Sequence, residues 1–459
     1  MQRRDFLKVS GLAPAVLSSL DPPSWAADIS SPAKDEKAQV TLRIAPVNLE
    51  IGPGKIIKTV GYNGSVPGPV FRFTEGKPVT VDVFNDSDIS EVVHWHGQQI
   101  APAVDGSVEE GTPAVPPHGH RRYRFTPKPA GTRWYHTHVM AHGDLTRAGF
   151  SGQYGFAIVE PARHPGNYDQ EICIAAHHWE PSLAHMGPPD NGWEIAYQSA
   201  TLNSKMLGAG EPLRVREGQR VLFRFLNASA TDEIRLALPG HRFNVIAMDG
   251  NPVPRPQTVD FLYLDIGERI DALVEMNNPG VWILGSVKDE ERMMGMGVVV
   301  EYANKSGEPQ WRQPPNPGRG PWDYTPFAAD RPAPQPDHQI EMKFGKIPGN
   351  RVDFNRWTIN GKSFPENGRI RLEKGKRYRL LFNNDTGDIH PLHLHRHTFE
   401  ITQIGDKPTA GLMKDVISVA RRSTAAIDFV ADNPGLTLFH CHMQLHMDYG
   451  FMQLFEYGG

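Results

Sequence analysis

The sequence predicts an all-β protein built from three related β-sandwich domains, and three observations support this. The chain of 459 residues is too long for one hydrophobic core, so several domains are expected. Its 44 Gly and 40 Pro exceed the ~12% of residues that these two types usually supply, which indicates many turns between short strands. A strand motif also recurs three times along the chain.

The N-terminal residues predict export and not a part of the fold. Arg3 and Arg4 begin a twin-arginine motif, an apolar stretch follows from Val9 to Leu20, and residues 24–26 fit a small-x-small cleavage site. Residues 1–26 are therefore expected to be a signal peptide, with the Tat export machinery as partner and a periplasmic or secreted mature protein. A short amphipathic helix is the alternative for this segment.

Composition excludes two classes of partner. The formal charge is −4, with both signs scattered along the chain, so no basic face is available for a nucleic acid. No segment after the leader reaches the ~18 apolar residues that a membrane-spanning helix needs. We expect a soluble protein without a membrane span.

Three copies of one unit follow the leader. In each copy a Gly turn leads into an alternating strand that ends nine residues later at an Asn, with the sequences KPVTVDVFN, QRVLFRFLN and KRYRLLFNN. The strands end at Asn85, Asn227 and Asn384. The predicted units are domain 1 at 38–162, domain 2 at 163–302, a Pro-rich connector at 303–337 and domain 3 at 338–459.

Domains 1 and 3 carry paired histidines where domain 2 has none. Nine residues after the Asn, they have His94 and His393, whereas domain 2 has Leu236. Side chains at i and i+2 of a strand point to one face, so each pair offers two imidazoles to one site. We expect the pairs to meet several metal ions between domains 1 and 3: His94 and His96, His136 and His138, His393 and His395, His440 and His442.

Cys441 is predicted to serve a different metal ion. The alternation in residues 440–442 turns Cys441 to the face opposite its two neighbours. His390 and His446 complete a His₂Cys set, which is typical of electron-transfer copper sites. Electrons accepted there can pass through the chain to the adjacent histidine cluster. A disulfide with Cys173 is not expected, because Cys173 lies in an apolar strand.

These motifs resemble those of the multicopper oxidases, a family that includes laccases, ascorbate oxidase, bilirubin oxidase and bacterial cuprous and ferrous oxidases. The resemblance covers essentially the whole mature chain. It is carried by HWHG at 94–97, WYHTH at 134–138, HPLHLH at 390–395 and HCHMQLHMDYGFM at 440–452. It implies three cupredoxin-like Greek-key domains and an enzyme that couples four one-electron oxidations of a donor to reduction of O₂ to water.

The resemblance further implies a cofactor of four copper ions and their ligands. The type 1 copper would be bound by His390, Cys441 and His446, and the type 2 copper by His94 and His393. The type 3 pair would be bound by His96, His136, His138, His395, His440 and His442.

Four other positions complete the predicted site. Asp105 matches the family's proton-relaying carboxylate near the type 2 copper, with an Asp-Gly turn as the alternative. Leu445 stands where some bacterial relatives have a second acid. Arg396 replaces a common Gly, and we expect it to be a surface charge near the cluster. Phe451 falls at the axial position of the type 1 copper as a non-ligand, although a slipped register would bring the next residue, Met452, to the metal.

The remaining signals are weaker. His177 and His178 either line a substrate approach or make ordinary hydrogen bonds, and the second reading is favoured. His397 is expected behind the metal ligands. Met293, Met294 and Met296 either fill the core near a Gly turn or form a copper(I) path, and core filling is favoured.

Several functions fit the ligand set. A laccase-like oxidase of phenols or other small aromatic donors is favoured over an oxidase of Cu(I) or Fe(II), because no dense Met cluster occurs beyond residues 293–296. A copper nitrite reductase would have two copies and fewer histidines. A cupredoxin-fold scaffold or copper store would typically have lost ligands, and none is missing here.

Overall fold

Strands form almost all of the regular structure, which confirms the all-β prediction. The structure, a computed structural model, describes residues 37–161, 166–186, 192–315, 321–350 and 353–457. The predicted signal peptide at 1–26 lies outside these residues, as do residues 316–320 of the predicted connector. Within the described part of the chain, no helix is long and apolar enough to cross a bilayer.

The first copy folds into two sheets around one apolar core. Its strands are β1 (Val40–Gly52), β2 (Lys55–Tyr62), β3 (Phe71–Thr74), β4 (Val79–Asn85), β5 (Val93–His96), β6 (His120–Phe125), β7 (Gly131–Thr137) and β8 (Tyr154–Glu160). They pair in the orders β2-β1-β4-β6 and β3-β8-β7-β5. A short helix, α1 (Pro102–Asp105), follows β5, and a 3-10 helix spans Ala148–Phe150.

The second copy has the same two-sheet plan with an added hairpin. Its strands are β9 (Gln170–Trp179), β10 (Ser182–Met186), β11 (Gly192–Ala196), β12 (Ser199–Leu202), β13 (Leu213–Val215), β14 (Arg220–Asn227), β15 (Ile234–Ala237), β16 (Phe243–Met248), β17 (Asn251–Val259), β18 (Leu262–Leu264), β19 (Arg269–Glu275), β20 (Val281–Ser286) and β21 (Gly297–Tyr302). The sheets are β12-β9-β14-β19-β16-β17 and β13-β21-β20-β15-β18, and β10 pairs with β11. Helix α2 spans Asp289–Met293.

The third copy repeats the plan after a 3-10 helix at Thr325–Phe327. Its strands are β22 (His338–Ile347), β23 (Arg356–Ile359), β24 (Arg369–Leu372), β25 (Arg377–Asn384), β26 (His390–Leu394), β27 (Phe399–Ile404), β28 (Lys407–Lys414), β29 (Val416–Val419), β30 (Thr424–Val430), β31 (Leu436–Cys441) and β32 (Met452–Tyr457). They pair as β23-β22-β25-β30-β27-β28 and β24-β32-β31-β26-β29. Helix α3 (Gln444–Asp448) connects β31 to β32.

The Asn that ends one strand of each copy makes the same kind of side-chain hydrogen bonds in all three copies. Asn85, Asn227 and Asn384 end β4, β14 and β25, and each is at most 1% exposed. Each side-chain carbonyl accepts the N–H two residues later, and each amide donates to two or three main-chain carbonyls. These carbonyls belong to Ile89, Val115 and Pro116 for Asn85, to Asp232 and Leu264 for Asn227, and to Asp388 and Ala420 for Asn384. A buried side chain that ties a strand end to two loops must keep its amide, which explains why the Asn marks the repeat.

Four strands bring the predicted ligands together. In the first copy, β5 pairs with β7 so that His94 lies opposite His136. In the third copy, β26 pairs with β31 so that His393 lies opposite His440. In the second copy, β15 and β20 pair at the corresponding place, but Leu236 there is fully buried in the apolar core.

Candidate metal centre

The structure brings the four predicted histidine pairs into one cluster. Directly opposite residues of an antiparallel pair share a face, so His94 and His136 project together, as do His393 and His440. The second histidine of each pair lies at the end of its strand or one residue beyond it. Seven of the eight side chains are buried, and His442 is partly buried.

Within the cluster, imidazole nitrogens of different histidines lie as close together as ligands of one metal ion do. His96 Nδ1 lies 3.4 Å from His136 Nε2, and His440 Nε2 lies 3.4 Å from His138 Nε2 and 3.0 Å from His395 Nε2. Three sets of nitrogens each lie within 4.8 Å of one another, which suits ligands around a common metal ion. The sets are His94, His393 and His395; His94, His96 and His136; and His138, His395 and His440.

In several rings, one nitrogen is hydrogen-bonded to the protein on the outside of the cluster. The other nitrogen points into the cluster and could bind a metal ion. His94 Nδ1 donates to the carbonyl of Asp105 at 2.9 Å, and His393 Nδ1 donates to the carbonyl of Asp415 at 2.7 Å. In each ring the proton is therefore on Nδ1, and the lone pair is on Nε2. Among the described residues, no hydrogen-bond partner faces Nε2 of His94, His393 or His442. Buried, unpaired imidazole nitrogens that converge fit a metal site.

Burial keeps seven of the eight histidines neutral. It lowers the pKa of His138 and of His442 to about 3, because an imidazolium ion would lose its hydration there. The pKa is lowered well below its ordinary value, for the same reason, at His96, His136, His393, His395 and His440. Neutral imidazole is the form that binds transition metals.

A second group of potential ligands lies on the opposite face of β31. Cys441 Sγ is 3.4 Å from His446 Nδ1 and 3.7 Å from His390 Nδ1, and these two nitrogens are 3.2 Å apart. All three side chains are at most 1% exposed. Burial raises the pKa of the Cys441 thiol well above its usual value, so a thiolate here needs a cation beside it.

Phe451 and Met452 point in opposite directions. The Phe451 ring lies edge-on to the His390 ring, with centroids 4.6 Å apart, in the core cluster that contains Cys441. Met452 pairs with His440 across β31 and β32, and its side chain packs with Leu438 in a separate apolar cluster. The phenyl ring, and not the thioether, therefore faces the Cys441 group.

Three buried carboxylates surround the histidine cluster, and sequence reasoning found only one of them. Asp105 Oδ2 lies 2.9 Å from His395 Nδ1. Glu110 Oε2 lies 3.2 Å from the same nitrogen, and burial together with Asp105 raises the pKa of Glu110 well above its usual value. Asp415 Oδ1 accepts the His96 Nε2–H at 3.0 Å. Glu110 follows Asp105 by five residues and could have been considered, but nothing in the sequence pointed to Asp415.

The expectation that Arg396 is a surface charge was wrong. Its side chain is 1% exposed, and its guanidinium donates to the main-chain carbonyls of Ile100, Leu436, Asn433 and Pro434. The guanidinium is buried because it satisfies carbonyls where copies one and three meet. Arg396 has φ +61°, a conformation that favours Gly, which accounts for the Gly common at this position in the family.

The remaining candidates lie apart from the ligands or behind them. His177 Nδ1 donates to the Ala228 carbonyl at 2.7 Å, and both His177 and His178 are buried, in agreement with the hydrogen-bonded reading. His397 donates to the carbonyl of His395 at 2.9 Å and so supports a ligand from behind. Cys173 lies in β9 as a free, partly buried thiol.

The methionines of residues 293–296 do not form one group. Met296 is fully buried in the core, Met294 packs against that core, and Met293 is 78% exposed. The prediction that these residues fill the core is therefore confirmed for Met294 and Met296, whereas the Met293 side chain faces solvent.

Sequence comparisons agree with this geometry. Three multicopper oxidase profiles match residues 44–164, 180–301 and 333–458, so that each copy matches one profile. The chain belongs to the multicopper oxidase family. It is 29% identical to the multicopper oxidase MmcO of Mycobacterium tuberculosis over 94% of this chain and 89% of that protein. It is 25% identical to Laccase-2 of Podospora anserina, over 92% of this chain and 79% of that one.

Structural comparison gives the same family. The crystal structure of a multicopper oxidase from Pseudomonas thermotolerans matches 92% of this chain and 100% of its own, with a TM-score of 0.72 and 27% identity. The protein is therefore an oxidoreductase with three cupredoxin-like domains, and copper is the metal that its family uses.

The depressed histidine pKa values predict how the copper-free protein responds to acid. The pKa of His138 and of His442 is about 3 in the folded chain, against ~6.5 when unfolded. Because the unfolded state takes up these protons first, the free energy of unfolding should fall as the pH drops below ~6.5, and continue falling toward ~3. The Tm of the copper-free protein should therefore be lower at pH 5 than at pH 7.

Thermal unfolding of the copper-free protein at several pH values checks this, because most carboxylates titrate only below this window. Buried carboxylates with a raised pKa, such as Asp265 and Asp448 at about 7, act in the opposite direction, but the seven cluster histidines with a lowered pKa outnumber these two. Addition of copper at pH 7 should raise the Tm, since the metal binds the assembled ligands more tightly than the unfolded chain. A copper-free Tm that is constant between pH 7 and pH 5 would contradict the burial of neutral histidines.

Proposed function

We propose that the protein binds four copper ions and couples oxidation of a small donor to reduction of O₂ to water. The observation that carries this proposal is that two ligand groups share β31, with Cys441 facing one group and its neighbours His440 and His442 facing the other. Copper supplies one-electron acceptance at the first group and multi-electron reduction of O₂ at the second. The chain holds the ligands rigidly and provides the path between them.

The proposed ligand roles are those that the resemblance to the family implies, and the grouping of the side chains supports them. His390, Cys441 and His446 are proposed to bind the type 1 copper. His94 and His393 are proposed for the type 2 copper, and His96, His136, His138, His395, His440 and His442 for the type 3 pair. The three-residue segment 440–442 then connects the two centres by covalent bonds alone.

The thiolate assignment predicts the colour of the protein. Copper-loaded protein should contain about four copper ions per chain and be intensely blue, because a His₂Cys copper site has this absorption. Cys441→Ser should abolish the blue band, whereas Cys173→Ser should retain it. Absorption spectroscopy and metal analysis give both readouts. A blue band that survives Cys441→Ser would show that this thiolate is not the ligand.

We propose Asp105 as the residue that delivers protons to the histidine cluster. Its carboxylate is buried against His395 and His94, at 2.9 and 3.2 Å, and Glu110 lies beside it. Reduction of O₂ to water consumes four protons, so a carboxyl group at this position has a function beyond shaping a turn. Leu445 occupies the place of a second acid in some relatives and cannot carry protons.

Replacement of Asp105 by Asn tests this role. The variant keeps the side-chain shape but cannot release a proton, so reoxidation of the reduced enzyme by O₂ should slow on the order of 100-fold. Anaerobic reduction of the blue site should stay near the wild-type rate. Stopped-flow measurement separates the two half-reactions, with Glu109→Gln, a nearby partly exposed carboxylate, as control. Equal slowing of both half-reactions would indicate a structural turn instead.

We propose that Phe451 occupies the axial side of the type 1 copper and raises its potential. A phenyl ring cannot coordinate, and loss of a weak thioether ligand destabilises Cu(II) more than Cu(I). The edge-on contact between Phe451 and His390, with Met452 on the opposite face, supports this orientation.

A pair of substitutions distinguishes the two residues. Phe451→Met should lower the type 1 potential by ~50–100 mV, which is ~1–2 kcal/mol for a one-electron couple. It should also slow the oxidation of high-potential phenols more than that of easily oxidised ones. Met452→Leu should leave the potential unchanged. Redox titration of the blue band measures both, and the reverse pattern would show that Met452 faces the metal.

For the donor, we propose a phenol or other small aromatic molecule. His446 packs against Trp357 at 4.0 Å, and partly exposed Phe354 and Tyr449 stack nearby at 4.6 Å. Asp388, a carboxylate beside these aromatic rings, is bound by Trp357 Nε1 and Lys346 Nζ at 3.0 and 3.2 Å. Aromatic rings, together with a carboxylate whose charge Lys346 neutralises, suit an aromatic donor better than a metal cation.

The donor class is tested by comparing kcat/KM for 2,6-dimethoxyphenol, Cu(I) and Fe(II). The phenol should be the preferred donor, and Lys346→Met, which frees Asp388, should shift the preference toward the cations. A more than tenfold preference of the wild type for either metal ion would identify a metallo-oxidase instead. Absence of turnover with any donor in the copper-loaded protein would favour a scaffold or copper store.

We also propose domain boundaries at 38–162, 163–302 and 338–459, because each range contains the strands of one pair of sheets. The twin-arginine leader supports export by the Tat route to the periplasm or the exterior. Such export carries folded proteins, which suits a chain that receives copper before it crosses the membrane.

A further inference from the structure

The second copy carries no predicted copper ligand, yet it contributes charged side chains to the edge of the histidine cluster. Arg269 at the start of β19, and Asp249 in the turn between β16 and β17, are both fully buried. They meet Asp415, which lies between β28 and β29 of the third copy and is also fully buried. A buried ion pair that spans two domains and ends at a metal ligand calls for a functional explanation.

Arg269 binds the Asp415 carboxylate in a bidentate ion pair. Nη1 donates to Oδ1 and Nη2 donates to Oδ2, each at 2.6 Å. Arg133 of β7 adds a third donor, 3.2 Å from Oδ2. Asp249 Oδ2 accepts the main-chain N–H of Asp415 at 3.2 Å and that of Val416 at 3.0 Å, so domain 2 holds both the side chain and the backbone of this segment.

Asp415 in turn orients two histidines of the cluster. Its Oδ1 accepts the proton of His96 Nε2 at 3.0 Å, and its main-chain carbonyl accepts that of His393 Nδ1 at 2.7 Å. With the proton on Nε2, His96 presents the lone pair of Nδ1, which lies 3.4 Å from His136 Nε2.

The backbone packs closely against the Arg269–Asp415 ion pair and against His442, so that two positions have room only for Gly. Gly97, which follows His96, has φ +80°, and a Cβ there would lie 2.6 Å from Asp415 Oδ2 and 2.9 Å from Arg269 Nη2. Gly267 in domain 2 has φ +82°, and a Cβ there would lie 2.9 Å from the His442 ring. The two glycines allow the backbone of copy one to reach the ion pair and that of copy two to reach His442.

We propose that Arg269 is a positioning residue for copper binding: through Asp415 it fixes the His96 proton on Nε2 and directs Nδ1 toward the metal. This inference rests on the proposed copper ligands. It gives the copper-free second domain a role in the cluster that its own sequence motifs do not indicate. Partners behind the ligands of metal sites typically change metal affinity or activity by roughly 10–100-fold.

Asp415→Asn tests the proton position with little change in shape. Arginine side chains supply two donors at Oδ2, from Arg269 and Arg133, and one at Oδ1, from Arg269. The new amide nitrogen is therefore favoured at the Oδ1 position, where it meets fewer of these donors and faces His96. An N–H there requires a lone pair on His96 Nε2, which puts the proton on Nδ1 and blocks coordination. Copper binding at the cluster should weaken by roughly 10–100-fold, while the blue band of the Cys441 site remains.

Arg269→Met removes the ion pair with Asp415, and Arg224→Met is its matched control. Arg224 also lies in domain 2, is 9% exposed and is bound at 2.7 Å to Asp271 and at 2.9 Å to Glu171, but it does not contact Asp415 or a histidine of the cluster. The readouts are copper per chain, the blue absorbance and the Tm of the copper-free proteins. Both substitutions should lower the Tm, and only Arg269→Met should lose cluster copper.

The outcomes separate this inference from the proposed function. Wild-type protein without copper at the histidine cluster would overturn both. Wild-type protein with about four copper ions, together with variants at Arg269 and Asp415 that bind copper with the same affinity, would overturn the positioning role alone. If Arg269→Met does not fold, Asp415→Asn decides: loss of cluster copper with an intact blue band supports the role, and full copper content rejects it.

Discussion

The candidate metal centre depends on the register in which four strands pair. His94 lies opposite His136 where β5 meets β7, and His393 lies opposite His440 where β26 meets β31. Because side chains alternate along a strand, a slip of one residue in either pair would turn the histidines away from the cluster. The same alternation separates Cys441 from its neighbours, so one strand carries two groups of potential ligands on its two faces.

Buried imidazoles that pack together need partners on their outer nitrogens, and the protein supplies them from main-chain carbonyls and carboxylates. The carbonyls of Asp105, Thr137 and Asp415 accept from His94, His136 and His393. Asp105 and Asp415 are themselves buried and are bonded to other domains, through His395 and Arg269. The ligand geometry is therefore set before any metal arrives, which reduces the reorganisation that binding requires.

The histidine pairs could be predicted from sequence because i, i+2 spacing and the three-fold repeat are local patterns. The same holds for Cys441, which the alternation of its strand turns away from its neighbours, whereas the axial position of Phe451 was implied by the resemblance to the family's C-terminal motif. Asp415 and Arg269 could not be predicted, because their partners are distant: Asp415 is 319 residues from His96, and Arg269 is 146 residues from Asp415. Arg396 was placed wrongly for a related reason, since the carbonyls that bury it become neighbours only when copies one and three pack together.

Two ligand groups on the faces of β31 are proposed to hold four copper ions. The most direct measurement is a crystal structure of the copper-loaded protein with anomalous data at the copper edge. We predict three peaks within the histidine cluster, with His96 bound through Nδ1, and a fourth among Cys441, His390 and His446. Copper at only one of the two groups, or a His96 that coordinates through Nε2, would contradict this account.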